Sequence, residues 1–392
     1  MRIRTLTAHV VRLPLKRAFK HASATREDSD NVLIRCELAD GTIGWGEGVP
    51  RSYVTGETPE SCLSQLAATP LQEQLAGDAG SWPHVVRLCA RFQPAVVRDD
   101  PRGCYGNALR CAVELSILDA FGRLIGEPVG NVVQHFAPAQ PIMAKRDSVQ
   151  YSAAIDSGSS KLPRKSLVRR IYGFHQCKVK VGTAGDDDTA RLRTIRRWIG
   201  RRMDLRLDAN EAWSADKVAT RLQPLLKYDI SCVEQPVPHA EVERLAAIRQ
   251  QVPTPIMLDE SLTSTRDAQA AIDARTCDLF NIRLSKCGGF LNSLRLAAMA
   301  SAAGLGYQLG CHPGESGVLS AAGRHWSCNV KNIRYLEGSY DRHLLQELLT
   351  HEDVTFGYGG RAPRLTGPGL GVTVNEAALE RRTLVKQEHV LG

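Results

Sequence analysis

Five ionisable residues recur along the chain at a nearly constant interval. Lys180, Asp208, Glu234, Asp259 and Lys286 follow one another at steps of 25 to 28 residues. Each stands at or just beyond the end of a short apolar, β-branched run, and each step has the length of one strand plus one helix. In a barrel of such repeats, equivalent positions meet around the C-terminal mouth, where active sites of that architecture lie. Three carboxylates would then converge with a lysine on either side. Carboxylates that close repel one another unless a cation intervenes, and an all-oxygen set suits Mg²⁺ rather than zinc or copper. Lys178 precedes Lys180 by two residues on one run, so both side chains share a face. A nearby cation and loss of water each lower the pKa of a lysine, so a neutral amine becomes available as a base. Metal and neutral amine together are the equipment for taking a proton α to a carboxylate.

The elements that must position these groups are legible as alternation. Strand-like runs at 177–181, 205–208, 230–234, 255–259 and 279–282 alternate with helical patterns at 186–199, 215–226, 241–251, 263–274 and 292–303. Runs at 148–153, 306–309 and 333–336 complete about eight strands, which predicts a (β/α)₈-type barrel rather than a doubly wound sheet. Before it, strand patterns at 2–12 and 31–38, a turn at 39–42 leading into Ile43 and a long helix at 106–124 predict a small α+β domain. The expected organisation is an α+β domain over 1–130, a barrel over 140–360, and a tail over 361–392 that returns to the first domain.

Composition excludes several classes. The chain has 392 residues, 43 % hydrophobic and 23 % charged, which is globular and neither disordered, collagenous nor coiled-coil. Neither a signal-peptide core in the first 20 residues nor a run of ~18 apolar residues is present, so a cytoplasmic protein with no membrane partner is expected. The 11 cysteines stand singly without a C-x-x-C pair, which predicts buried free thiols. The net charge of +8 owes much to Arg191, Arg193, Arg196, Arg197, Arg201 and Arg202. Trp198 is the one aromatic residue within this run, which reads as a solvated outer helix face and not as a nucleic-acid patch.

Taken together, Lys178-Val179-Lys180, Leu207-Asp208-Ala209-Asn210, Val233-Glu234-Gln235-Pro236, Leu258-Asp259-Glu260-Ser261 and Asn281-Ile282-Arg283-Leu284-Ser285-Lys286-Cys287-Gly288-Gly289 resemble the enolase superfamily. Within it the chain is similar to the muconate-lactonizing (mandelate racemase/muconate cycloisomerase-like) subgroup. A Gly44-Trp45-Gly46-Glu47-Gly48 turn and the closing Gly-Pro-Gly-Leu-Gly segment add to the resemblance. It implies an α/β fold, a modified (β/α)₇β TIM barrel whose N-terminal α+β domain caps the mouth and is completed by the C-terminal tail.

It further implies Asp208, Glu234 and Asp259 as ligands of Mg²⁺, with Mn²⁺ as a substitute. Lys180 and Lys286 would be bases on opposite faces of the substrate, and Lys178 would depress the pKa of Lys180 and contact the substrate carboxylate. Asn210 and Glu260 would orient the ligands. Capping segments at 19–23 and 49–55 would contribute substrate contacts through His21, Arg51 and Tyr53. The turn after the seventh strand would add His312 and Glu315, His312 being open also to a loop-packing reading. The implied reaction is α-proton abstraction from a small carboxylate to give a metal-stabilised enolate. Cycloisomerisation or epimerisation of the muconate cycloisomerase type leads. Racemisation or epimerisation of a dipeptide or N-acyl amino acid and dehydration of an acid sugar are the alternatives, and a degenerate binding barrel is the non-enzymatic one. Dipeptide epimerases usually carry Asp-x-Asp at the eighth strand, where this chain has Leu336-Glu337-Gly338. A homo-oligomer is expected, as for many soluble enzymes.

Overall fold

A computed structural model describes residues 1–20, 25–156 and 161–391. Strands β1 (Ile3–Lys20), β2 (Thr25–Leu38) and β3 (Ile43–Gly48) pair antiparallel in chain order. Gly41 turns β2 into β3 with a φ of 87°, a conformation glycine adopts without a Cβ penalty. The Gly44-Trp45-Gly46-Glu47-Gly48 segment, expected as a turn, is β3 itself. Its glycines let the helix Asn107–Ile125 lie directly on the strand. A Cβ on Gly46 would stand 2.0 Å from the Ala112 carbonyl oxygen and 2.4 Å from the Ser116 nitrogen. Backbone atoms inside a helix cannot give way. Gly46→Ala is therefore expected to destabilise the protein by about 3 kcal/mol or more, read as a lowered midpoint in urea unfolding.

The expected opening strand at 148–153 divides into two. β4 (Ser148–Gln150) lies outside the barrel, whereas β5 (Ala153–Ile155) begins it. The parallel sheet continues in order through β6 (Gln176–Lys180), β7 (Asp204–Asp208), β8 (Ile230–Glu234), β9 (Ile256–Leu258), β10 (Leu279–Ile282), β11 (Gly306–Leu309) and β12 (Ile333–Leu336). Ser152 N–H donates to the Leu336 carbonyl at 2.7 Å, drawing the first and last strands together. β13 (Arg361–Pro363) pairs with β4, and β14 (Thr383–Val390) pairs with β1. This is a barrel of eight parallel strands covered by an N-terminal antiparallel sheet.

Helices at Asp188–Ile199, Thr265–Ala274 and Phe290–Ala302 lie where periodicity put them. The pattern at 215–226 is instead broken into short 3₁₀ and α turns, because Pro224 withholds a backbone donor there. The arginine run also differs from expectation. Arg193, Arg197, Arg201 and Arg202 are exposed, but Arg191 and Arg196 are buried. Arg196 donates to the carbonyls of Gly200, Met203, Tyr228 and Asp229, and so ties its helix to the next repeat.

Buried carboxylates join the N-terminal sheet and its helix to the barrel. Glu47 accepts from the backbone N–H groups of Ser316 and Leu319 at 2.9 and 3.0 Å, at the start of the helix Gly317–Asn329. Glu114 accepts from Leu291 N–H at 3.0 Å, at the start of the helix Phe290–Ala302. First-turn N–H groups lack partners within their own helix, so each carboxylate satisfies donors that would otherwise be orphaned. Asp119 accepts from Trp45 N–H at 2.8 Å and Leu370 N–H at 2.7 Å, pinning the Gly-Pro-Gly-Leu-Gly segment to β3. Ten of the cysteines are buried, Cys311 is half-buried, and all are free thiols.

Candidate active site

The barrel brings the recurring residues to one mouth. Lys180 is level with Asp208 across β6 and β7, and Asp208 with Glu234 across β7 and β8. Asp259 follows β9 directly, and all three carboxylates are buried. Lys178 Nζ lies 3.3 Å from Asp208 Oδ2, 3.4 Å from Glu234 Oε1 and 2.9 Å from Glu337 Oε2. The Arg283 guanidinium is closely paired with Asp259 and stands 3.6 Å from Glu234 Oε1. Lys286 Nζ donates to Asp259 Oδ1 at 2.7 Å and to the carbonyls of Asp259 and Asn281 at 2.6 and 2.8 Å. In sheet order the carboxylates lie between Lys180 on one side and Lys286 on the other.

The two lysines of β6 are held in opposite electrostatic conditions. Burial works against the charge of Lys178, but Glu234, Glu337 and Asp208 together outweigh it and raise its pKa well above the usual lysine range. For Lys180 burial is the largest influence and wins: the pKa falls, with Asp208 opposing and Lys178 reinforcing the fall. Glu234 is pushed well above the usual carboxylate range by burial, against the pull of Lys178. Glu337 resists the same burial because Lys178 and Arg206 hold its carboxyl down at about 2. Neighbouring groups of the same type therefore differ in charge propensity according to their partners.

Glu234 Oε2 is buried and has no hydrogen-bond partner among the described residues. A buried carboxylate oxygen left bare is costly, and a hard cation would satisfy it. Among the described residues no three carboxylates close on one point as a finished cage. Lys178 stands between Asp208 and Glu234, and Arg283 between Glu234 and Asp259. The donor chemistry of Asp208, Glu234 and Asp259, with its orphaned oxygen, fits Mg²⁺.

The remaining candidates are spread more widely. Asn210 Nδ2 donates to Glu260 Oε1 at 3.3 Å, and Asn210 N–H to Asp208 Oδ1 at 3.1 Å. Arg51 is buried, and its guanidinium is occupied by Ser29 Oγ and the carbonyls of Pro50 and Pro313. It buttresses the turn after β11. Tyr53 is half-buried beneath the guanidinium of Arg26, 5.3 Å from its ring centre. His21 lies outside the described residues. His312 is buried, neither ring nitrogen has a hydrogen-bond partner among the described residues, and burial, reinforced by Arg283, Arg51 and Lys286, lowers its pKa well below the histidine range. Burial also pushes the Glu315 carboxyl up to about 8, although it accepts from His312 N–H at 2.6 Å.

Sequence reasoning passed over four participants. Arg283 and Asn281, whose Nδ2 donates to Glu234 Oε1 at 2.8 Å, sat inside a quoted motif without a role. Their place in and just after β10, one strand beyond Asp259, was the available signal. Gln235 accepts from Asp259 N–H and Ser261 N–H at 2.9 and 3.2 Å and so shapes the Asp259 turn. Glu337 was noted only as a departure from Asp-x-Asp. Its pairing with Arg206 needs the β7–β12 geometry across the barrel, which no local pattern reveals.

Residues 164–378, more than half of the chain, match the family described as enolase C-terminal domain-like. A hydrophobic dipeptide epimerase of Enterococcus faecalis is 30 % identical over 335 residues, covering 85 % of this chain and 89 % of that protein. An N-succinyl-L-Arg/Lys racemase of Bacillus cereus is 29 % identical and covers 98 % of both chains. The structure of a Cytophaga hutchinsonii dipeptide epimerase complexed with Mg and the dipeptide D-Ala-L-Val superposes with a TM-score of 0.82. Its identity is 26 %, over 99 % of this chain and 100 % of that one. Muconate lactonizing enzyme from Pseudomonas fluorescens, complexed with muconolactone, superposes with a TM-score of 0.83 at 25 % identity, over 97 % and 99 %. Among these similarities Mg²⁺ has support and Mn²⁺ has none, and the curated relatives are named for epimerisation and racemisation rather than for muconate chemistry. Both activities are isomerisations, and the expectation of an isomerase stands. The chain belongs to the enolase superfamily.

Proposed function

We propose that the protein is a Mg²⁺-dependent racemase or epimerase acting on an N-acylated amino acid. The observation that carries this reading is the pair of lysines, Lys180 and Lys286, flanking a buried carboxylate cluster. Asp208, Glu234 and Asp259 would hold the cation. When bound, it supplies positive charge that favours the negative charge developing on the substrate carboxylate.

Lys180, whose pKa burial lowers, takes the α proton at Nζ. Lys286, whose Nζ donates to Asp259 and to the Asn281 carbonyl, returns a proton from the opposite face at Nζ. In the reverse direction the two exchange roles. Lys178 remains charged and offers an ammonium to the substrate carboxylate.

Glu337 supports an acylated substrate over one with a free ammonium. Both of its oxygens are engaged, Oε2 by Lys178 and Oε1 by Arg206, so the eighth strand presents no spare carboxylate to an ammonium. The surrounding Lys178, Arg283 and Lys286 also favour a substrate without positive charge. Dipeptide epimerisation is the second reading and has the Enterococcus faecalis relative in its favour. A panel of N-succinyl amino acids and dipeptides, followed by α-proton exchange in D₂O with Mg²⁺ present, separates the two. N-acyl compounds are expected to show kcat/KM at least about tenfold higher, worth ~1.4 kcal/mol of discrimination. A preference for dipeptides would reject the acyl reading, and no exchange with any carboxylate would reject both.

A further inference from the structure

β14 is the open edge of the N-terminal sheet, whose order is β14-β1-β2-β3. Leu391 N–H donates to the Arg4 carbonyl at 2.9 Å, and the register continues as Val390 with Thr5, Glu388 with Thr7 and Lys386 with His9. Alternation in an antiparallel ladder then turns the backbone groups of His389, Gln387 and Val385 toward β1. Those of Leu384, Lys386, Glu388 and Val390 face outward. Gln72 Nε2 approaches the Val390 carbonyl at 3.5 Å from the outer side, in accord with that direction.

An unpaired edge is a template for a strand of another chain. Here the edge is complementary to itself. A two-fold axis through Gln387 sets Lys386 opposite Glu388 of a second copy, and Leu384 opposite Val390, each pair occurring twice. Leu384 and Val390 are 53 % and 62 % exposed, and Lys386 and Glu388 are exposed between them on the same face. The parity is also right. With Gln387 facing β1, the axis falls on a non-hydrogen-bonded pair, flanked by hydrogen-bonded pairs between outward residues. Moving the axis to Lys386 puts lysine against lysine, and moving it to Glu388 puts glutamate against glutamate. Charge thus selects one register.

We propose that β14 pairs antiparallel with β14 of a second copy of this chain about a two-fold axis at Gln387, joining the two N-terminal sheets into one. The pairing uses none of the residues of the candidate active site and is independent of the substrate reading.

Sedimentation velocity of the full chain from about 1 to 100 µM tests it. The wild-type protein is expected to be an even-numbered oligomer. Lys386→Glu sets like charges opposite each other twice and is expected to raise the dissociation constant at least about tenfold. The double variant Lys386→Glu/Glu388→Lys restores opposite charges and is expected to return it to within about twofold. Glu388→Pro removes an outward N–H and spares the bonds to β1, so it is expected to give protomers with an unchanged circular dichroism spectrum. A monomeric wild type, a Lys386→Glu variant that assembles as tightly as wild type, or a charge swap that fails to restore assembly would each overturn the proposal.

Discussion

Lys286→Ala is expected to lower turnover by on the order of 10³-fold or more, and Lys180→Ala by a similar factor, with the fold intact. The two losses differ in kind. Racemisation needs a proton removed on one face and delivered on the other, so either deletion stops inversion. Each single variant retains one amine, and that amine can still exchange the α proton of one substrate hand with solvent. Lys286→Ala is expected to incorporate deuterium only into the enantiomer presented to Lys180, and Lys180→Ala only into its mirror image. Mass spectrometry of each pure enantiomer incubated in D₂O reads this directly. Exchange of both hands by a single variant would reject the two-face assignment. Circular dichroism is the needed control, since Lys286 is buried against Asp259 and its removal leaves that carboxylate to Arg283 alone.

The second large effect concerns the cation. Glu234→Gln is expected to weaken Mg²⁺ binding by on the order of 100-fold, measured by calorimetry in the absence of substrate. Groups that merely orient a ligand typically contribute 10- to 100-fold to metal affinity, so a direct ligand accounts for at least the upper end of that range. Asn281→Ala, which removes one hydrogen bond to Glu234 Oε1, is expected to weaken binding by the lesser factor of about 10. Chelation with EDTA should abolish turnover, and added Mg²⁺ should restore it. Unaltered affinity in Glu234→Gln would remove the carboxylate cluster from consideration as the metal site. Because Arg283 and Lys178 stand among these carboxylates, calorimetry at two ionic strengths also reads how far positive side chains compete with the cation.

The parts of this site that were legible in the sequence are those that depend on spacing. A parallel strand and its helix consume a nearly fixed length of chain, so the alignment of Asp208, Glu234, Asp259 and Lys286 is legible from spacing alone. Lys178 and Lys180 were legible as a same-face pair for an equally local reason. Contacts across the barrel were not legible. Arg206 reaches Glu337 over a sequence separation of 131 residues, and the choice of partner depends on how the sheet closes. Arg51 illustrates the opposite error. An arginine in a polar loop near a mouth suggests substrate contact, yet burial gave its donors to backbone carbonyls. The β3 glycines were visible as a motif, but their purpose became clear only with the helix lying at 2.0 Å from where a side chain would begin.

Glu47 and Glu114 each end a helix that belongs to the other half of the molecule. The barrel therefore does not carry a complete set of its own helix terminators, and the N-terminal part supplies two of them. A chimera that borrows its front portion from a relative must import the carboxylate and its recipient amides together, or inherit bare helix ends. Residues 49–55 join the halves as well, Val49 N–H donating to Ser285 Oγ at 2.7 Å and Arg51 to the Pro313 carbonyl at 3.1 Å, so a rewritten loop must keep those two positions. Recombination between relatives would on that account keep the anchoring glutamates, Arg102 and Asn107 together with the barrel groups they bond, Asp267 and the Lys286 carbonyl among them.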